Sequence, residues 1–173
     1  LAKVGRERID EMEDPEITIN RALETYLKKG YSEAWVNQRL KSIEIRKGLT
    51  DEWDRGGIQK GLEYAILTDE ITKAWTGMTT KEYKQLKGLK KENLRDNMTN
   101  MELVLNMLAE VSATEISQSQ NPKGLAQHKK VARAGGEVAN KARKELESQT
   151  GKKVVTDKNA KKLHKQIEVL EKK

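Results

Sequence analysis

The sequence predicts an all-α protein, a multi-helix bundle that carries a basic helical extension at its C-terminal end. Three observations lead there. Apolar residues recur at spacings of three and four along most of the chain, and helix start and stop signals bracket those runs. Only one short stretch, LEYAIL at 62–67, has the composition of a strand. Apolar and charged residues each make up 35% of the 173, with seven aromatics and no Phe, which suits an elongated helical architecture or one completed by a partner. The expected division is a helical body over 1–119 and a basic helical extension over 120–173, joined by a hinge at about 118–124.

The elements follow in chain order. Asp14-Pro15 sets an N-cap before proline at the first helical position, and Glu16 favours the positive end of the helix dipole. That helix should run to about Lys29 and stop at Gly30, burying Ile19, Leu23, Tyr26 and Leu27. Ser32 caps a second helix in which Trp35, Val36, Leu40 and Ile43 keep the period while Arg39, Lys41 and Arg46 face elsewhere. Gly48 weakens it and Thr50-Asp51 offers a new cap, so pattern leaves open one bent helix or two; Gly56-Gly57 and Gly61 end it. Leu62–Leu67 reads as helical or as a buried connector, because no second strand accompanies it. Thr68 caps a short helix through Trp75, closed by Gly77.

Two capping boxes come next, in which a threonine hydroxyl and a glutamate satisfy each other's backbone donors. Thr79–Glu82 opens a helix with Tyr83 and Leu86, to about Lys87. Thr99–Glu102 opens the most apolar helix, whose stripe of Met101, Val104, Leu105, Leu108 and Val111 is expected in the core. SQSQNPKG at 117–124 has the composition of a hinge. A helix from about Leu125 to Gln149 then ends at Gly151 in the left-handed region. Within it, Gly135-Gly136 marks either a close backbone approach or a hinge between two helices, and the hinge is preferred. Val154-Val155 is too short to assign. Asp157 caps a last helix with Leu163, Ile167 and Leu170 as a thin seam for the body or a second copy.

Catalytic chemistry is scarce. The absence of cysteine removes disulfides, thiolate zinc sites and cysteine nucleophiles. No phosphate-binding glycine loop and no serine nucleophile elbow occur. His128 and His164 sit in lysine-rich helices and are expected to be exposed. Asp51, Glu52 and Asp54 could in principle hold Mg²⁺, but a charged helix start is the preferred reading. The expectation is therefore a protein that is not an enzyme and has no metal or cofactor. No apolar run reaches the ~20 residues needed to cross a bilayer and no signal peptide opens the chain, so it reads as cytosolic and free of membrane. It begins with Leu1, which suggests that a natural N-terminal part is missing.

Charge is the strongest functional signal. The net charge is +7, yet residues 1–119 hold 19 Lys and Arg against 21 Asp and Glu, while 120–173 hold 15 against six. A basic end suits a polyanion, most simply DNA. One constellation is Lys81, Lys84, Lys87, Lys90, Lys91 and Arg95. The other is Lys129, Lys130, Arg133, Lys141, Arg143 and Lys144, with Lys152 and Lys153 beyond the glycine stop. Phosphate contact by such faces is sequence-independent and salt-sensitive, and the plain alternative is a solvated lysine face. Trp35, Trp53 and Trp75 fall where burial is expected, and no aromatic lies beyond Tyr83, so stacking on single-stranded bases is not expected.

Four stretches carry a family resemblance: KVGRERIDE near the start, EAWVNQRLKSIEIRKGLTDEW at 33–53, EYAILTDEITKAWTGMTTKEYKQLKGLKKENLRDNMT at 63–99, and GGEVANKARKELESQTGKKVV from Gly135. In this order they resemble the C-terminal region of the BRO-family phage antirepressors and bacterial DNA-damage-inducible D proteins. The resemblance implies prophage regulation or a DNA-damage response. Fuller members carry an N-terminal BRO domain ascribed to DNA binding, which this chain lacks. No catalytic residues come with it. The expected mode is stoichiometric: binding DNA, a repressor or a recombination protein through basic helices, with self-association into a homo-oligomer. The alternative is a protein-interaction or oligomerisation module with no direct DNA contact.

Overall fold

The computed structural model describes residues 15–160, with side chains described from Asn20 onward. Six α-helices and a short 3₁₀ turn follow one another without strands among the described residues: α1 Pro15–Lys28, α2 Glu33–Arg55, α3 Leu62–Thr76, α4 Thr80–Leu86, the 3₁₀ turn Arg95–Asn97, α5 Asn100–Gln120 and α6 Gly124–Thr150. No helix among the described residues is long and apolar enough to cross a membrane. The fold is all-α, as the spacing and caps predict.

Caps explain where the helices begin. The Ser32 hydroxyl accepts from the Trp35 amide, and both threonine boxes close as expected, Thr79 with Glu82 and Thr99 with Glu102. Gly77 and Gly151 end α3 and α6 in the left-handed conformation, with φ of 82° and 66°. Two boundaries differ from expectation. α2 runs unbroken through Gly48. Thr68 caps nothing: it lies inside α3, where its hydroxyl donates to the Tyr64 carbonyl at 2.6 Å, and LEYAIL is the first turn and a half of that helix. The Asp14 cap and the helix expected after Asp157, with His164, lie outside the described residues.

The core is built around α5 and α6. Trp35, Trp53 and Trp75 are all buried, together with Leu49, Leu67, Ile71, Tyr83 and Leu103. The face of α5 turned inward coincides only in part with the apolar stripe read from spacing: Leu105 is buried and Leu108 packs on the core. Met101, Val104 and Val111 are exposed, whereas Glu102, Leu103, Asn106, Ala109, Glu110, Ala113 and Ser117 are buried. Small residues let a neighbouring helix come close, and the buried acids Glu102 and Glu110 are paired with cations, so the hydrophobic count alone misjudges how the helix faces the core. Arg39 is likewise buried instead of facing away: it bonds the Asp96 carboxylate at 2.8 Å, which also accepts from Tyr26, while the Trp35 indole donates to the Met98 carbonyl. These bonds fasten the 3₁₀ turn to α1 and α2.

The basic third belongs to this core. α6 lies against both α5 and α3, and the segment expected as a hinge is only a turn after α5, with Asn121 as its left-handed cap. α6 is continuous through Gly135-Gly136, which corrects the hinge reading. A Cβ on Gly135 would stand 2.6 Å from the Ala113 backbone nitrogen on α5, and one on Gly136 would stand 2.4 Å from Ala74 Cβ and 2.8 Å from the Ile71 carbonyl on α3. Each glycine admits a different helix. The division into body and extension is therefore not a division of the packed core.

His128 on α6 is also buried, not exposed as expected. It sits beneath Gly56, where any Cβ would overlap the ring, with the Pro122 backbone beside it. Burial lowers its pKa from the usual 6.5, against the opposing pull of the Pro122 backbone and the Glu52 charge. The unfolded chain then binds this proton more readily than the folded one. Stability should be level above about pH 6.5 and fall as pH drops through the lower folded value. Thermal melts between pH 7.5 and 5.5 should show that loss in the native chain and a flatter profile in His128→Leu; equal slopes would refute it.

Candidate nucleic-acid interface

The cationic residues singled out in the sequence divide into those the fold uses internally and those it leaves at the surface. Lys87 is the clearest of the first kind. Its side chain is fully buried, 2.8 Å from the Glu102 carboxylate, and its ammonium donates to the Thr156 and Lys158 carbonyls at 3.1 and 2.6 Å. A ligand phosphate has no access to it, which removes Lys87 from the candidate surface. Arg95 bonds buried Glu110 at 2.5 Å, shared with Arg46 at 3.3 Å.

Three cations of α6 are paired as well, although the Lys129 and Arg133 side chains stay 37% and 62% exposed. Lys129 and Arg133 both grip Glu70 on α3, at 3.0 and 2.6 Å, and these bonds hold the Glu70 carboxyl at about 2, well below its ordinary value. Arg143 donates to the Trp75 carbonyl at 3.0 Å and pairs with Glu147. Partners such as Glu70, 63 residues away from Arg133, leave no mark in local spacing.

Lys90, Lys91, Lys130, Lys141, Lys144, Lys152 and Lys153 are exposed and make no ion pair among the described residues; Lys84 is half-buried and likewise unpaired. Lys130, Lys141 and Lys144 lie along the solvent side of α6, interrupted by Glu137. The fold brings parts of the two constellations to one end of the bundle. Lys87 ties the end of α4 to residues 156–158, and Glu102 accepts from the Thr156 amide at 3.1 Å. Lys90 and Lys91 follow this junction directly, and Lys152 and Lys153 precede it. A groove of about 540 Å³ lies there, with Met101, Leu146 and Val154 among its lining and Lys152, Lys153 and Lys158 also along it. Lys158 is exposed and was not among the residues singled out in the sequence, although Lys152, Lys153, Lys161 and Lys162 lie near it along the chain.

The carboxylates considered for Mg²⁺ have separate partners. Asp51 pairs with Lys47, Glu52 with Arg55, and Asp54 with Lys60 and Tyr64. No group of three or more potential metal ligands occurs among the described residues.

Comparison with known proteins gives one family: the model of the DinD C-terminal domain matches residues 36–167. No curated protein matches the chain.

Proposed function

Since the chain belongs to the DinD C-terminal domain family, we propose that it is a non-enzymatic regulatory module of the DNA-damage response that engages DNA stoichiometrically through its surface lysines. The observation that supports this is the surplus left after internal pairing: Lys90, Lys91, Lys152 and Lys153 collect at one end, and Lys130, Lys141 and Lys144 extend along α6. Lysines on a rigid helical frame form a point-charge surface that neutralises phosphates without reading bases. Repressor control in an antirepressor-like manner would follow from occupancy of DNA and not from turnover.

Fluorescence anisotropy with duplex DNA tests the reading. Affinity should fall steeply with salt, and Lys152→Gln with Lys153→Gln should lower the logarithmic salt slope by about 1.8, about 0.9 for each phosphate no longer neutralised. Binding that is absent at low salt, or indifferent to salt, contradicts it. Removing residues 120–173 is not a usable test, because α6 supplies Val131, Ala132 and Ala139 to the core.

A second reading rests on Met101, Val104 and Val111, exposed along α5, with Val138 exposed on α6. These side chains suit a protein partner, such as a repressor, a recombination protein or a second copy. Met101→Ser with Val104→Ser should then abolish self-association or partner binding while DNA affinity stays unchanged.

A further inference from the structure

Between α3, α4, the 3₁₀ turn and α5 lies a recess of about 180 Å³ that the lysine surface does not use. Its lining includes Thr80 and Lys84 from one face of α4, Arg95 from the 3₁₀ turn and Asn106 from α5. Asn106 is 2% exposed, yet its side-chain nitrogen has no hydrogen-bond partner among the described residues. The same is true of the Thr80 hydroxyl and of Arg95 Nε. Lys84 makes no ion pair there either.

The unused groups are mainly donors. Thr68 and Thr72, also in the lining, direct their hydroxyl protons to the Tyr64 and Thr68 carbonyls. Arg46 and Arg95 share the single carboxylate of Glu110; with Lys84 on one side and the Asp69 carboxylate on the other, the surroundings keep one net positive charge. Donors from three elements and a net positive charge suit a tetrahedral oxyanion such as phosphate. Outside the recess a groove of about 580 Å³ shares Thr68 and Thr80 with it and is lined further by Tyr64, Ala65 and Ile66, with Asp69 occupied by the Thr80 amide. That outer space has room for an organic body.

We propose that the recess binds the phosphoryl group of a small phosphomonoester, with the remainder of the ligand in the outer groove. Arg95 and Lys84 supply charge, while Asn106 and Thr80 supply directed hydrogen bonds to phosphoryl oxygens. The proposal is independent of the DNA reading, since Asn106 and Thr80 lie outside the exposed lysine set.

Isothermal titration calorimetry of the full chain with inorganic phosphate and with adenosine 5′-monophosphate, at constant ionic strength, tests it. Both probes should bind at one site, the monophosphate more tightly, and adenosine should not bind. Thr80→Val and Asn106→Leu should each weaken phosphate binding at least about tenfold, while duplex DNA affinity is unaltered. Thr80→Val removes only a hydroxyl, so it carries the test if Asn106→Leu does not fold. No heat from either probe at millimolar concentration, or binding unchanged in Thr80→Val, overturns the proposal.

Discussion

Alanine at Gly135 and Gly136 is expected to destabilise the domain, although alanine in a helix interior ordinarily improves on glycine by about 1 kcal/mol. The sign follows from packing. The added methyl at 135 meets the backbone of Ala113, and the one at 136 meets Ala74 and the Ile71 carbonyl, at separations that require a helix to move. Overpacking of this kind costs about 1–3 kcal/mol at each site, and valine should cost more. Gly48 supplies the control: it also lies inside a helix, but a Cβ there meets nothing within 4 Å. Gly48→Ala should therefore leave stability equal or raise it by up to about 1 kcal/mol. Urea denaturation reads all of these. Stabilisation by Gly135→Ala and Gly136→Ala together would contradict the close approach.

The second large effect is expected at Lys87. Lys87→Met leaves the Glu102 carboxylate buried without its counter-charge, and breaking a buried pair of this kind costs about 3–5 kcal/mol. It also frees the Thr156 and Lys158 carbonyls, so the segment that carries Lys152 and Lys153 loses its fastening. Adding Glu102→Leu removes the stranded charge. The double variant should recover most of the loss, less about 1 kcal/mol for the broken capping box at the start of α5. Denaturation of the two single variants and the pair measures the coupling. A Lys87→Met chain as stable as the native one would mean that the pair does not hold the junction.

Local signals and long-range signals separate cleanly in this chain. Caps depend on residues three apart, so Ser32, the two threonine boxes, Gly77 and Gly151 could be read directly. The tryptophans were legible too, because their apolar area dominates any stripe they join. Spacing placed Leu105 of α5 correctly but missed the polar and small residues buried beside it, and it failed at Gly135-Gly136, where the reason for glycine is a neighbouring helix 22 to 65 residues earlier. His128 was misplaced for the same cause: its surroundings in sequence are lysines, but its surroundings in space are Gly56 and the end of α2.

The candidate surface was legible as a charge excess and not as a set of residues. Composition places the excess of cations in the last third, yet Lys129, Arg133 and Arg143 there, like Lys87 and Arg95 before it, have acids or carbonyls as partners. What remains for a polyanion is the portion the fold does not use, together with Lys158.

All of this depends on α6 being a helix of the core. Hydrogen–deuterium exchange followed residue by residue tests that most directly. The account predicts that amides of 131–139 exchange only through global unfolding, with the same protection as the middle of α5. Fast exchange along 131–139 while α5 stays protected would show a detachable extension and contradict it.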